Sequence, residues 1–261
     1  MSILDEIFAH KRGEVAKARQ RISESALETA VRDLPAPPSF FDALADGTHA
    51  TPNLIAEVKY RSPSKGILCP DFDHLALAKT YAKNGAAAIS VLTDEKYFGG
   101  SLDFLQEISA LGLGVPLLRK DFIFDAYQLL GARAAGASAV LLIVAMLDDT
   151  QLRDLLRITT ELQLDALVET HTRAEVDRAL KADARVIGVN NRDLHTFNVS
   201  LETSLALRPL IPDEKVMVAE SGIHTRADVA RLADAGVDAM LIGEGLVTAT
   251  DVAAKVREFV Q

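Results

Sequence analysis

The strongest constraint on the fold is a strict alternation of two sequence patterns that begins near residue 54. Short apolar runs rich in β-branched residues alternate with longer runs in which apolar residues recur at helical spacing. The short runs are predominantly and continuously apolar rather than alternating, as expected for parallel strands buried on both faces. They predict eight strands: Leu54–Lys59, Ala88–Leu92, Pro116–Arg119, Ala139–Ile143, Asp165–Val168, Val186–Asn190, Lys215–Ala219 and Ala239–Ile242. Eight such units in roughly 200 residues are typical of an α/β fold of the (β/α)8, or TIM barrel, type.

The segments between these strands predict an equal number of helices. They are Leu75–Lys83, Leu102–Leu111, Ala126–Ala135, Thr150–Leu162, Arg173–Lys181, Leu201–Arg208, Arg226–Ala235 and Asp251–Val260. Gly85, Gly136 and Gly236 each follow a helix and precede a strand, the position where helices commonly end on a glycine, and Asp183 takes the equivalent place without one. The alternative, an open doubly wound sheet, lacks this regularity, and no G-x-G-x-x-G follows the first strand.

Residues 1–50 follow another pattern and predict an N-terminal helical extension that packs on a barrel of residues 51–261, as one domain. The extension contains an amphipathic helix from Ile3 to Ile22 with an exposed basic face, a short helix from Ser25 to Asp33, and an extended proline-rich connector from Leu34 to Pro38. We expect Phe40 and Phe41 to tie this arm to the main body.

Composition excludes several classes of function. The chain has 261 residues and a net charge of −9, so it lacks the basic face that non-specific nucleic-acid binding requires. A small basic pocket for a phosphorylated small molecule stays possible.

The single cysteine, Cys69, cannot form an internal disulfide, and no zinc-type spacing is present. The longest apolar run, Ala139–Leu147, is too short to span a bilayer, and we expect a cytoplasmic protein with no membrane partner. The oligomeric state is left open, with a monomer favoured.

Polar residues at the predicted carboxyl ends of the strands indicate a catalytic site, because these ends meet at one rim of a barrel. Glu57 and Lys59 are two residues apart and share a face of their strand. The converging side chains are Glu57, Lys59, Lys120, Glu169, Asn190, Arg192 and Glu220. A salt-bridge layer that only plugs the barrel is the alternative, but the number and mixture of charges favour an active site. We expect clustering to lower the pKa of the lysines and burial to raise that of the glutamates.

Glycines after the last two strands indicate an anion site. Ser221, Gly222, Gly243 and Glu244 lie in these two loops, where backbone N–H groups can approach a phosphate closely. The side chain of Glu244 would repel a dianion, so we expect only its backbone to contribute. The loop after the first strand is long and polar and could close over a substrate, with Ser62 donating a hydrogen bond to the phosphate.

The segments Ile55–Gly66, Leu118–Ile123, Gly188–Leu194 and Val218–Ile223 together resemble the indole-3-glycerol-phosphate synthase family of TIM barrels. The resemblance covers the whole chain, including the N-terminal arm, although Glu244 stands where relatives have serine. It implies conversion of 1-(2-carboxyphenylamino)-1-deoxyribulose 5-phosphate to indole-3-glycerol phosphate, CO2 and water in tryptophan biosynthesis. It also implies that no cofactor and no metal is needed.

The resemblance implies a role for each site residue. Lys120 would act as the acid that protonates the developing alkoxide, while Glu169 and Glu57 would serve the dehydration, with Lys59 pairing with Glu57 or with the substrate carboxylate. The order of these acid and base roles is open. Asn190 would belong to the catalytic set and would position the substrate together with Arg192 and Glu220. The phosphate would be held by Ser62, Ser221, Gly222, Gly243 and the Glu244 backbone. The apolar wall for the anthranilate ring would be formed by Phe98, Phe122 and Leu141, unless these residues simply pack in the core.

Three other functions compete with this hypothesis. A Schiff-base aldolase on the same barrel would use Lys120 or Lys59 as nucleophile. A sugar-phosphate isomerase would need an Asp/Cys or Asp/Asp pair, whereas this rim offers lysine and glutamate. A scaffold that only binds a phosphorylated metabolite would have no need for acids and bases at the rim.

Overall fold

The computed structural model describes residues 3–47, 50–193 and 196–261, with only the backbone described for residues 3–5. Leu194, which belongs to one of the motifs above, lies outside these ranges. Within them, eight parallel strands close into a barrel, each paired with its neighbours in chain order and the first paired with the last. The strands are β1 (Asn53–Val58), β2 (Ala88–Leu92), β3 (Leu117–Lys120), β4 (Ala139–Ile143), β5 (Asp165–Thr170), β6 (Val186–Asn190), β7 (Val216–Glu220) and β8 (Ala239–Ile242). The predicted TIM barrel is confirmed.

The described helices precede or surround this barrel. They are α1 (Ile3–Arg21), α2 (Glu24–Val31), α3 (Phe40–Ala45), α4 (His74–Lys83), α5 (Glu95–Phe98), α6 (Leu102–Ala110), α7 (Ala126–Ala134), α8 (Asp149–Glu161), α9 (Arg173–Lys181), α10 (Glu202–Leu207), α11 (Arg226–Asp234), α12 (Glu244–Val247) and α13 (Val252–Val260). The turns from helix into strand are as predicted, because Gly85, Gly136 and Gly236 all have positive φ and Asp183, at the equivalent place, has φ of 58°. None of the described helices is long and apolar enough to cross a membrane.

Element boundaries differ from the predictions where strands meet the site. Strands β3, β5 and β7 extend to Lys120, Thr170 and Glu220, so the backbones of Lys120, Glu169 and Glu220 are held by the sheet. Several short elements were not predicted because they span too few residues to show a period. They are the hairpin of Arg61–Ser62 with Gly66–Ile67, the short helices α5 and α12, and the 3₁₀ turns Val144–Met146 and Arg208–Leu210.

Helix α3 closes the amino-terminal end of the barrel. Phe40 and Leu44 are fully buried against the apolar interior of the barrel. The backbone N–H groups of Phe40 and Phe41 both donate to Asp165 at 3.0 Å. The guanidinium carbon of Arg185 also lies over the Phe41 ring, 3.9 Å from the ring centroid. The two phenylalanines therefore tie the arm to the barrel as predicted.

Helix α1 packs on α7 and has the predicted exposed basic face at Arg12, Lys17, Arg19 and Arg21, but Lys11 is not part of it. Val15 is buried in a cluster with Tyr127 and Leu130 of α7. Lys11 is only 4% exposed because it is paired with buried carboxylates of the barrel rim. Ile22, expected in the apolar stripe, follows the end of the helix and is half exposed. One end of the arm thus reaches the carboxyl-terminal rim while α3 closes the opposite end.

Candidate active site

The structure brings all the predicted site residues together at the carboxyl-terminal rim. Two adjoining cavities open there, and both contain Lys59, Lys120 and Arg192. The first is also lined by Glu169, Asn190, Ser62, Ser221, Glu244, Phe98, Phe122 and Leu141, and the second by Glu57, Glu220, Ser221, Gly222, Gly243 and Glu244.

Two lysines and two glutamates form a chain of ion pairs across the floor of the cavities. Lys59 Nζ lies 2.9 Å from Glu57 Oε1, and Lys120 Nζ lies 3.5 Å from Glu57 Oε2 and 3.9 Å from Glu220 Oε2. Glu57 Oε2 and both Glu220 carboxylate oxygens are buried without a hydrogen-bond partner. A layer that only plugged the barrel would satisfy its own polar atoms, so these oxygens argue for a site that accepts further groups.

The pKa directions correct part of the sequence prediction. Burial alone lowers the pKa of Lys120, but the carboxylates of Glu57, Glu220 and Glu169 outweigh it, so the pKa lies above its usual value. Burial alone raises the pKa of Glu57, but Lys59 and Lys120 outweigh it and the pKa falls. The expected shifts toward neutrality are therefore wrong for both residues, because each faces more opposite charge than like charge.

Glu220 behaves as predicted for a buried glutamate. Burial raises its pKa well above the usual range, and the neighbouring carboxylate of Glu169 raises it further against the opposing effect of Lys120. Gly188 of β6 makes room for this side chain, since a Cβ at that position would lie 2.3 Å from Glu220 Oε1. Gly243 does the same for Glu57, again at 2.3 Å from Oε1. Small residues on the strands thus let two carboxyl groups occupy the barrel mouth.

Glu169 has a different partner. Its Oε1 lies 3.4 Å from His171 Nε2, and the other ring nitrogen of His171 lies 3.3 Å from Glu175. Burial lowers the pKa of His171, but hydrogen bonding to Glu175 and the charges of Glu169 and Glu175 raise it overall. Among the described residues no lysine lies within ion-pair distance of Glu169, so its ion-pair partner at the rim is the imidazole of His171.

An aromatic pair forms one wall of the first cavity. The rings of Phe98 and Phe122 lie 6.3 Å apart, and Lys59 Nζ lies 5.6 Å from the centroid of Phe98. Leu141 lines the same cavity while it packs in the apolar cluster inside the barrel. Leu141 therefore both lines the cavity and packs in the core, so the two alternatives predicted from the sequence both apply to it.

The loops after β7 and β8 form the predicted glycine-lined cradle. Ser221 and Gly222 have φ of 65° and 77°, and a left-handed conformation at a serine costs about 1 kcal/mol. Gly243 is the residue before α12, whose first turn faces the second cavity. Glu244 lines both cavities, and its Oε1 lies 2.5 Å from Lys65 Nζ, which offsets its negative charge.

Several residues at the rim were missed by the sequence reasoning. Ile7 of the arm and Phe197 of the loop after β6 line the first cavity. Asn191 donates to the carbonyl of Ser221 at 3.1 Å and accepts from Ser204, so it fixes one side of the cradle. Asp94 and Asp121 are buried at the ends of β2 and β3. Asp121, which directly follows Lys120, and Asn191, which directly follows Asn190, were the ones whose position at a strand end gave a signal.

The buried carboxylate of Asp121 makes stability dependent on acid. Burial raises its pKa, but Arg119 and Lys11 outweigh this and lower it to about 2 from 3.8. A depressed folded-state pKa stabilises the fold above about pH 4, and this contribution, roughly 2 kcal/mol, is lost as the pH falls toward 2. We expect the urea unfolding free energy of Asp121→Asn to fall less between pH 5 and pH 3 than that of the unmodified protein. Parallel declines would contradict the assignment.

Charged acid–base groups at the carboxyl end of a closed parallel barrel, beside an anion cradle, define an enzyme of the (β/α)8 class. The family model for indole-3-glycerol phosphate synthase matches residues 4–259. The indole-3-glycerol phosphate synthase of Dehalococcoides mccartyi strain BAV1 is 49% identical over 258 residues, covering 98% of this chain and 99% of the relative. That of Roseiflexus castenholzii is 52% identical over 264 residues, with coverage of 98% and 97%. The chain belongs to the indole-3-glycerol phosphate synthase family, whose members are decarboxylating lyases of tryptophan biosynthesis.

More distant solved structures share the fold alone. KGPDC from Streptococcus mutans superposes with a TM-score of 0.62 at 13% identity, covering 80% of this chain and 95% of that one. The 3-hexulose-6-phosphate synthase of Salmonella typhimurium also gives 0.62, at 15% identity, with coverage of 80% and 96%. These similarities support the barrel architecture independently of the family match.

Proposed function

We propose that the chain closes the indole ring of indole-3-glycerol phosphate from 1-(2-carboxyphenylamino)-1-deoxyribulose 5-phosphate, with loss of CO2 and water. The family assignment supports this reaction. The observation that carries the residue assignment is the Lys120 ammonium, held between Glu57 and Glu220 in a cavity with an aromatic wall.

Ring closure needs a proton donor at the ketone. The aryl carbon that bears the carboxylate attacks the ketone carbon, and negative charge develops on the ketone oxygen. The carboxylates around Lys120 keep it protonated, so its ammonium both stabilises this charge and delivers the proton. The carboxylate then leaves as CO2, and its bonding electrons restore the aromatic ring.

Dehydration needs an acid for the departing hydroxyl and a base for a carbon-bound proton. Glu169 is the base in this proposal, because the other rim carboxylates are paired with lysine or are driven toward their neutral form. Lys59, whose Nζ lies 2.9 Å from Glu57 Oε1, is the acid that protonates the departing hydroxyl in this proposal. Asn190 and Arg192 flank the same cavity and orient the substrate, with the Asn190 side-chain oxygen fixed by the Arg192 backbone N–H at 3.0 Å.

The two ends of the substrate match the two cavities. The anthranilate ring lies against Phe98, Phe122 and Leu141, where apolar surface is available. The phosphate lies on the backbone of Ser221, Gly222, Gly243 and Glu244, with Ser62 opposite. The small phosphorylated substrate is the partner this site serves. The proposed reaction involves no nucleic acid and takes place in the cytoplasm. In this proposal the arm and the barrel form one domain, and the monomer is the active unit.

A chelator tests the proposal that no metal takes part. The acid and base steps above are assigned entirely to side chains of this chain. We expect turnover to be unchanged after dialysis against EDTA, measured at saturating substrate. Activity that is lost on dialysis and restored by a divalent cation would contradict the assignment.

Gly188 offers a test of the carboxylate geometry. In Gly188→Ala the new methyl group would lie 2.3 Å from Glu220 Oε1, so the carboxyl group must move. We expect kcat to fall by roughly 10- to 100-fold, as displacements near 1 Å do, with an unchanged circular dichroism spectrum. Gly131→Ala is the matched control, because its nearest side-chain contact is an ordinary 3.7 Å. Equal activities of the two variants would show that Glu220 does not need its present position.

The proposed reaction is tested by mixing the protein with the carboxyphenylamino-deoxyribulose phosphate and following indole fluorescence and CO2 release. We expect the two products to appear in equal amounts. A Schiff-base aldolase would instead be trapped as a covalent adduct by borohydride, although a lysine kept protonated, as Lys120 is, makes a poor nucleophile. An adduct without indole would overturn the proposed function.

A further inference from the structure

Lys11 is a buried lysine of α1 that has no role in the proposed reaction steps. Its Nζ lies 2.8 Å from Asp94 Oδ2, 2.9 Å from Asp121 Oδ1 and 2.6 Å from Glu14 Oε2. Lys11 is 4% exposed and the two aspartates are equally buried. A lysine this deeply buried is rare, and here it bridges two carboxylates that follow different barrel strands, β2 and β3.

Each aspartate also holds the backbone of one phenylalanine of the cavity wall. Asp94 Oδ1 accepts from the backbone N–H groups of Tyr97 and Phe98 at 2.7 and 3.3 Å, which caps the short helix α5. Asp121 Oδ1 accepts from the backbone N–H of Phe122 at 2.8 Å. The same ammonium therefore joins the two carboxylates that set the positions of Phe98 and Phe122.

The two carboxylates depend on Lys11 to different extents. Asp121 is also paired with Arg119 at 2.9 Å and accepts from Thr93 at 2.7 Å. For Asp94, Lys11 is the only paired cation among the residues that the structure describes. Removing the ammonium would leave a buried carboxylate at the α5 cap without a cation, which drives the side chain toward water or toward protonation.

We propose that Lys11 is a positioning residue that links the N-terminal arm to the substrate site by fixing the spacing of the Phe98–Phe122 pair. Ile7, one helical turn earlier on the same face of α1, lines the cavity beside these rings. The arm thus sets the affinity for the aryl half of the substrate and leaves the phosphate half to the cradle. This inference rests on the proposed function, because it takes the ring of the substrate to lie on that wall.

Lys11→Met tests the proposal, because it removes the ammonium and keeps an unbranched side chain. We expect KM for the carboxyphenylamino-deoxyribulose phosphate to rise at least tenfold while kcat changes less than threefold. Inhibition by indole-3-glycerol phosphate, which carries the ring, should weaken by a similar factor. Inhibition by glycerol 3-phosphate, which lacks the ring, should change less than twofold. Lys11→Arg, which restores a cation, should recover part of the loss.

Arg19→Met is the matched control. Arg19 lies on the same helix and pairs with Asp125 of the barrel at 2.6 Å, away from Asp94 and Asp121. We expect its KM to stay within twofold of the unmodified protein. An unchanged KM in Lys11→Met, equal shifts in both variants, or equal weakening of both inhibitors would overturn the proposal.

A second variant keeps the test decisive if Lys11→Met fails to fold. Asp94→Asn retains the side-chain oxygen that caps α5 and removes one of the two bridged charges, while Lys11 keeps Asp121. We expect its KM to rise at least threefold with glycerol 3-phosphate inhibition unchanged, and an unchanged KM would overturn the proposal. If the unmodified protein does not turn over the substrate, the proposed function fails; if it does and the variants do not differ from it, only the Lys11 inference fails.

Discussion

Replacing Lys120 by methionine is expected to lower kcat by at least roughly 10³-fold, because the same ammonium stabilises the oxyanion and donates the proton. The residue is surrounded by three carboxylates that keep it charged, and it lines both cavities. We expect the fold to survive, since Glu57 keeps its ion pair with Lys59 and Glu220 already favours its neutral form. Single-turnover indole fluorescence at saturating substrate measures the effect.

Lys215→Met controls for the loss of a partly buried lysine. Lys215 pairs with Asp183 at 2.6 Å near the start of β7, at the opposite end of the barrel. Its kcat should match that of the unmodified protein. A Lys120→Met enzyme with near-normal turnover would remove Lys120 from the chemical step.

The second large effect is expected for Glu169→Gln, which keeps the shape of the side chain and removes the base. A positioned base contributes roughly 10²- to 10⁴-fold, so kcat should fall within this range while KM changes only a few-fold. Stopped-flow measurements of indole fluorescence at saturating and at limiting substrate give both parameters.

Glu175→Gln is the matched control for Glu169. Glu175 contacts the same histidine, at 3.3 Å, but does not line the cavity that contains Lys120. Its kcat should stay within about threefold of the unmodified protein. If both variants lose activity equally, the histidine between them, rather than the Glu169 carboxylate, is the group that matters.

The sequence predicted the barrel well because its alternation is a local pattern repeated along most of the chain. Strands buried on both faces are predominantly apolar without alternation, and the predicted strands between Leu54 and Ile242 show this pattern, with polar residues mostly at their ends. Once the barrel was assumed, Lys120, Glu169 and Glu220 followed as rim residues, because strand ends meet at one mouth.

What the sequence did not predict depends on contacts between distant segments. The sequence pattern indicated that Lys11 was one of several exposed basic residues. Its two buried partners, Asp94 and Asp121, lie more than 80 residues away, so no spacing rule could find them. The pKa direction of Lys120 was wrong for a related reason. Its sign depends on how many carboxylates surround the ammonium in space, and only the folded rim brings three of them to one lysine.

The proposed substrate orientation is tested most directly by a crystal structure with indole-3-glycerol phosphate bound. We expect the indole ring against Phe98 and Phe122, its five-membered ring within roughly 4 Å of Lys120 and Glu169, and the phosphate on the backbone of Gly222 and Gly243. A product bound with its phosphate at the lysines, or outside the carboxyl-terminal mouth of the barrel, would contradict it.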